Sequence, residues 1–497
     1  MLKKIFYSVI IILSVLFSSC ADGNMDKPVK NSDITIQVRQ AKSTFIINRT
    51  YLGNERRYFY GNYAPSHLNI KWKHLLGTGK TWVGTIHKTW SGAGWTGQPL
   101  MIKYNDTLYI IQGAYDHNLK KIRVSDGKLM NEFEFDDVIK GTGSIWRNPN
   151  PTSPDDEFYI MQGSRRGAMY SSDSKVVQSY KCIAFRSFQK KWIYSSKKMR
   201  SYSRDVDGSA LIVNDTAYLG LENGLFIVFD PNPNHAEMRD GVLQPFIYDV
   251  DTLFYASDAN THGGNLVTES SPSYLNGYVY ITSGSGHLFG YNIKKKEIDW
   301  VFDTEADMDG SPIVTDDECL IITIEKEYIP GQGGAMKINP SLSPDECVVW
   351  YFPTETKTHA YWAGGIIGSA SINDYYAADT MPKLSAFLAI DGNLYVVRHD
   401  KIAENKTTKG PMLKHTYPMP ELAFKYHTGP SISTPIIVGN KIIAPTYEGI
   451  YLFEFDKDMN FKLLQHQDLG SFEATPFVWD GRIYVACRDG NLYCFGD

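Results

Sequence analysis

The stretch SSPSYLNGYVYITSGSGHLFGYN, Ser270 to Asn292, decides the fold. Its apolar alternation is broken twice, at Asn276–Gly277 and at the Gly-Ser-Gly of residues 284–286. It therefore reads as three short strands joined by two tight turns. Asn-Gly is a pair that tolerates the left-handed backbone of a two-residue hairpin. The same sentence recurs as TGQPLMIKYNDTLYIIQGAYDHNLKKIRV, DGSALIVNDTAYLGLENGLFIVFD, DGSPIVTDDECLIITIEKEYIPGQGGAMKI, ISTPIIVGNKIIAPTYEGIYLFEF and EATPFVWDGRIYVACRDGNLYCFG. A fourth strand usually follows and carries an aromatic: Trp192, Trp300, Trp350 or Phe424. Evenly spaced short strands, four to a repeat, indicate the blades of an all-β propeller.

Two copies are irregular. Residues 141–196 carry a long excursion, GSRRGAMYSSDSKVV, between their second and third strands. Residues 365–426 are stretched by DYYAADTMPK and AENKTTKGPMLKHTYPMP. Counting both predicts an eight-bladed β-propeller of four-stranded antiparallel blades; seven blades follow if the stretched copy is an insertion. The last copy stops after its third strand, and NIKWKHLL, residues 69–76, has a fourth strand's pattern with Trp72 in place. This N-terminal strand is expected to close the ring and remove its open edges.

The repeats resemble the pyrroloquinoline-quinone-like (PQQ-like) propeller family over about residues 69–497. The docking signature of that family is degenerate here: Gly290, Asn292 and Trp300 keep its spacing, while Lys295 and Lys296 replace Thr-Gly. The family includes quinoprotein alcohol dehydrogenases, which would imply a quinone, calcium and an aspartate base. It also includes the lipid-anchored outer-membrane assembly factor B. The adjacent-cysteine disulfide of many dehydrogenases and the haem motif C-x-x-C-H are both missing from the sequence. No cofactor is expected, neither PQQ nor calcium.

The chain has 497 residues, 43% of them hydrophobic, enough for a large core, and a net charge of −5 that gives no basic field for nucleic acid. Its start, MLKKIFYSVIIILSVLFSSC, has Lys3 and Lys4, an apolar run from Ile5 to Phe17 and small residues before Cys20. This resembles a bacterial lipoprotein signal, residues 1–19, with Cys20 as the lipidated residue. Phe17 stands where leucine is usual, and an ordinary cleaved signal is the alternative. Residues 20–68 form a tether and N-terminal extension, polar over 21–35, before the propeller at 69–497. The expectation is an exported lipoprotein, held at the outer membrane by its lipid. Cys182, Cys319, Cys347, Cys487 and Cys494 are odd in number and lack C-x-x-C spacing, so they read as buried small hydrophobes. Cys487 and Cys494 flank one hairpin, and a bond between them is left open.

Antiparallel order puts the links from fourth to first strand and the turns from second to third strand on one face. That face gathers His87, His117, His262, His287, His359 and His427 of the twelve histidines. Its candidate ligand-binding residues are Asp116, His117, Arg165, Asp205, Glu222, His262, Glu269, His287, Glu325 and Lys326, with Asp207 and Asp309, and with Trp90, Trp95 and Trp362 as stacking surfaces. The Asp-Gly-Ser copies at 207–209 and 309–311 read equally as ties between blades. A metal site at His117, His262 and His287 lacks ligand spacing, and no metal is expected. Three functions remain: a non-catalytic scaffold binding a protein partner or polysaccharide; a polysaccharide lyase using His117, Tyr115 and Arg165; and, less favoured, a quinoprotein dehydrogenase.

Overall fold

The computed structural model describes residues 43–167, 175–378 and 380–497. The signal segment, Cys20, the polar tether and residues 168–174 of the first excursion lie outside the described residues. Eight antiparallel blade sheets follow one another, each with four strands A to D running outward from the axis, and a fifth strand is added to the first of them. Their innermost strands are Leu100–Tyr104, Ser144–Arg147, Leu211–Val213, Ser273–Leu275, Ile313–Val314, Ser371–Ile372, Ile436–Val438 and Phe477–Trp479. The stretched copy is therefore blade six, not an insertion, and the seven-bladed alternative falls away. Its third and fourth strands, Asn393–Lys409 and Thr416–His427, form a long hairpin whose tip, at Pro411 O, accepts a hydrogen bond from Gly331 N–H of blade five.

Turn chemistry sets the strand lengths. Asn105–Asp106, Asn214–Asp215, Asn276–Gly277 and Asp480–Gly481 all have both residues at positive φ, the geometry that lets a two-residue hairpin follow the twist of its strands. Strands B and C are buried on both faces, whereas D alternates, as in Glu297–Asp303 of blade four. The core thus lies between blades: Tyr218, Phe226 and Val228 of blade three pack on Val279, Ile281 and Phe289 of blade four. The recurring tryptophan has a physical reason. The indole N–H of Trp192, Trp300, Trp350 and Trp72 reaches a carbonyl of the next blade, at Pro231, Leu342, His399 and Val124. Each ring seals a gap while its one polar atom is satisfied.

The ring closes on Asn69–Leu75, which pairs antiparallel with the last strand from Asn69↔Gly496 to Leu75↔Asn491. Before it, the chain does something the repeats give no hint of. Phe45–Asn48 pairs with the inner strand of blade one on its axial side. Residues 49–63 then cross the channel and bond to the other blades in turn. Arg49 O accepts from Ile145 N–H, Thr50 donates to Ala210 O, Glu55 O accepts from Tyr274 N–H, Arg56 O from Val314 N–H and Tyr60 O from Val478 N–H. Ile372 N–H donates to the Tyr60 hydroxyl, and the Tyr51 hydroxyl bonds to Thr434. Arg57, fully buried, donates to Pro272 O, Tyr51 O and Thr50 Oγ1. Burial pulls its guanidinium down to about 9. The segment is a plug.

Above the plug runs a belt of side chains, each two residues before an inner strand: Gln98, Thr142, Ser209, Ser271, Ser311, Ser369, Thr434 and Thr475. Backbone N–H groups donate along it from Ser209 to Ser271 Oγ (2.9 Å), Ser271 to Ser311 Oγ (2.8 Å), Ser311 to Ser369 Oγ (2.9 Å) and Ser369 to Thr434 Oγ1 (2.8 Å). The serine of Asp-Gly-Ser is thus a tie between blades.

Candidate functional site

The links from D to A and the turns from B to C hydrogen-bond to one another on one face. Ile139 N–H donates to Ala114 O, Val206 to Ser164 O, Gly284 to Val267 O, Glu325 to Asp307 O and Phe472 to Thr446 O. Two residues before each belt position the chain comes to the axis. The eight equivalent residues there are Thr96, Lys140, Asp207, Glu269, Asp309, Ile367, Ile432 and Glu473. They ring the axis next to the belt and the plug. Thr96, Asp207, Ile367, Ile432 and Glu473 of this ring, the cup, are buried, and Lys140, Glu269 and Asp309 are partly exposed. Blades three to five contribute an acidic arc. Blades six and seven contribute an apolar one, where Ile367 and Ile432 pack with Trp95, Ile390, Trp362 and Tyr447.

Lys140 reaches over from blade two and forms ion pairs with Asp207 and with Glu269 (3.1 Å). Burial works to lower the Lys140 ammonium, and Asp207 and Glu269 outweigh it, so it stands well above the ordinary lysine value. Burial pushes Asp207 up to about 7 against the pull of Lys140. Glu222 lies beside both, accepts from Ser203 Oγ (2.5 Å), and is raised well above the carboxylate range by burial and by Asp207. Arg165 pairs with Asp205 (2.9 Å) and lies over the Trp90 ring. On the far side Arg488 clamps both oxygens of Glu473 (2.8 and 2.7 Å), and the Tyr447 hydroxyl donates to Glu473.

Farther round, Asp307, Glu325 and Glu327 bring one carboxylate oxygen each within 4.8 Å of one another. Burial, then Glu327, pushes Asp307 up to about 7; burial and Asp307 raise Glu325 and Asp309 well above the ordinary range. Exposed tyrosines stand over this arc, Tyr202 at 66% and Tyr361 at 81% exposure.

The cup brings together Arg165, Asp205, Asp207, Glu222, Glu269, Asp309 and Glu325 from the sequence-based set, with Trp95 and Trp362 opposite. It does not gather the rest. Asp116 caps its own turn by accepting from Asn118 N–H and pairs with Lys120 (2.7 Å). His117, at φ 70°, turns its ring outward so that Nε2 meets Lys80 O (3.0 Å). Lys326 donates to Gly331 O within its own loop. His262 and His287 line a separate lateral cleft of about 360 Å³ with Asp258, Asp303 and Tyr328. There His287 Nε2 lies 3.0 Å from Asp258 and Nδ1 3.5 Å from Asp303. His117 stands in blade one, away from that cleft, so the three histidines do not share one site. Tyr115 is buried against Trp90 and under Arg488, and burial and Glu473 raise its phenol far above the ordinary value. All five described cysteines are free and buried, so Cys487 and Cys494 are not bonded.

Lys140, Asp307, Glu327, Glu473, Arg488, Tyr202 and Tyr361 escaped the sequence reading. An alignment of the links two residues before the hydroxyl would have found Lys140 and Glu473.

No family model matches the chain, and no curated protein matches it. Solved structures share its fold. BamB from Moraxella catarrhalis aligns at a TM-score of 0.52 and 11% identity, over 84% of this chain and 100% of that one. The computationally designed Ika8 protein aligns at 0.50 and 10%, over 82% and 100%. A europium-containing methanol dehydrogenase aligns at 0.53 and 10%, over 90% and 98%. At such identities the likeness is one of architecture alone: the chain is an eight-bladed β-propeller whose fold resembles that of BamB and of a methanol dehydrogenase.

Proposed function

We propose that this protein is a non-catalytic interaction scaffold, exported and held at the outer membrane by a lipid on Cys20, and that the cup on its loop face receives a protruding, positively charged segment of a partner. One observation carries the reading. The eight repeat-equivalent residues at the axis form a blind mouth, acidic on one arc and apolar on the other, overlooked by exposed Tyr202 and Tyr361. Such a mouth matches a basic and aromatic chain segment in charge and in apolar surface. The architecture shared with BamB is consistent with this reading.

A lyase would need His117 beside Tyr115 and Arg165. Tyr115 and Arg165 do share the Trp90 ring, whereas His117 is engaged with Lys80 O. An acidic arc also repels a uronate polymer. The same charge argument applies to a carboxylate-rich quinone: the cup's cations Lys140, Arg165 and Arg488 are already held by Asp207, Asp205 and Glu473. The residues present do not fit that cofactor.

Photo-crosslinking in native membranes tests the scaffold. A benzophenone amino acid replacing Tyr361, over the cup, should give a discrete adduct. The same group at Lys294, on the opposite face, should give none. Equal adducts from both positions, or none from Tyr361, would remove the reading. The anchor is tested separately by incorporation of labelled fatty acid, which Cys20→Ala should abolish.

A further inference from the structure

The chain writes one acidic motif twice, with a different outcome each time. Asp-Val-Asp-Gly-Ser, residues 205–209, and Asp-Met-Asp-Gly-Ser, residues 307–311, occupy the same place in blades three and five. Their serines hold the same belt position. In the first copy both carboxylates meet cations of the chain itself, Arg165 on Asp205 and Lys140 on Asp207. In the second, the Asn265 amide donates to Asp307 Oδ2 (2.6 Å), and burial and the neighbouring Asp307 raise Asp309 well above the carboxylate range. No lysine or arginine among the described residues forms an ion pair there.

Two further observations point to a ligand. Glu325 is only 4% exposed, its carboxylate converges with those of Asp307 and Glu327, and its side chain has no hydrogen bond or ion pair among the described residues. Asp307 Oδ1 is likewise buried without a hydrogen-bond partner. A buried carboxylate left without a partner is costly, so such groups mark a place made for a countercharge.

We propose that Asp307, Glu325 and Glu327 form a receptor for an alkylammonium group from outside the chain, in the role that Lys140 plays for Asp207, Glu222 and Glu269. The internal precedent sets the sign of the charge: at the corresponding place one motif earlier the chain supplies its own cations, Arg165 on Asp205 and Lys140 on Asp207. The surroundings agree. The Tyr202 hydroxyl donates to Asn265 Oδ1 (3.4 Å), Tyr328 adjoins Glu327, and Tyr361 lies in the field of Glu269 and Glu325. Aromatic faces attract organic ammonium ions, whereas a hard divalent cation asks for six to eight oxygen ligands. The group is supplied either by a free diamine or by a lysine side chain of a partner polypeptide. The second source rests on the scaffold reading above.

Calorimetric titration of the purified chain with 1,5-diaminopentane, and separately with Nα-acetyl-lysine methylamide, tests the proposal and tells the sources apart. At least one amine should bind, and Glu325→Gln should weaken it at least tenfold. A free diamine is the source if it alone binds, a lysine side chain if the blocked lysine does. Asn265→Lys installs the missing ammonium from within. It should abolish amine binding while raising the melting temperature, and so keeps the test decisive if Glu325→Gln folds poorly. Binding of neither amine, binding unchanged in both variants, or calcium binding that neither amine displaces would overturn the proposal. Failure here with intact Tyr361 crosslinks sinks the ammonium receptor alone, whereas amine binding without crosslinks sinks the scaffold alone.

Discussion

Lys140→Met removes the only lysine among the described residues that forms an ion pair with Asp207 or Glu269, and the size of its effect follows from the burial of Asp207, whose side chain is wholly inaccessible. The folded protein then has two ways to tolerate that carboxylate. It can keep the charge buried and unpaired, which costs about 3–5 kcal/mol. Or it can keep a proton on the group, which costs about 1.36 kcal/mol for each pH unit above the unfolded value of 3.8. At pH 8 the proton route costs about 6 kcal/mol, so the charged route wins and the loss is about 4 kcal/mol. At pH 5 the proton route costs only about 1.6 kcal/mol and wins instead. The intact protein, with Asp207 raised to about 7, already bears most of that cost, so the variant loses little there. The sign is that of an acid whose folded pKa is raised: stability is fully present below about pH 4 and is lost as pH rises through the folded value. For a unit of roughly 450 residues, 4 kcal/mol corresponds to about 4 °C in melting temperature. Thermal unfolding at pH 5 and pH 8 therefore should show Lys140→Met losing more than twice as much at pH 8. Adding Asp207→Asn should restore most of it. An equal loss at both pH values, or a larger one at pH 5, would refute the reasoning.

Three other perturbations probe the frame that positions the cup. Arg57→Met keeps the aliphatic stem but leaves Pro272 O and Tyr51 O without donors; a loss of about 3 kcal/mol and new tryptic cleavage at Arg49 or Arg56 are expected, and an uncut segment would show that the plug is held otherwise. Trp72→Ala removes the indole that bonds to Val124 O and packs on Tyr484, costing about 2 kcal/mol, with faster amide exchange confined to Asn69–Leu75 and its partner strand. Ser311→Ala orphans the Ser271 N–H inside the belt and should lower stability by about 1–3 kcal/mol, as read by chemical unfolding.

What could be read in the sequence was whatever the repeat enforces. Asn-Gly and its variants fix the hairpins, and the outer tryptophan recurs because each blade must seal its neighbour. The strand 69–76 was legible because Trp72 obeys that rule. The plug at 43–63 was not, because each of its residues meets a different blade and so follows no period. The loop classes told which face a residue occupies but not its distance from the axis. Links from D to A run inward, so Asp205, Asp207, Glu269 and Asp309 reach the cup. Turns from B to C lie farther out, so His117 and His287 share its face but not its interior. Glu222 and Glu325, with Arg165, Tyr447 and Arg488, are the exceptions, carried in because their turns abut the links directly. Lys140 was missed because it stands alone among acids and apolar residues at the same repeat position.

The most direct test is hydrogen exchange of the chain with and without a lysine-rich oligopeptide. Slowed exchange should be confined to the links around 137–142, 203–209, 265–271 and 305–311, where the acidic arc converges. Protection of the opposite turns, such as 105–106 and 276–277, or no change at the links, would contradict the claim that the ring gathers its repeats into one ligand-taking mouth.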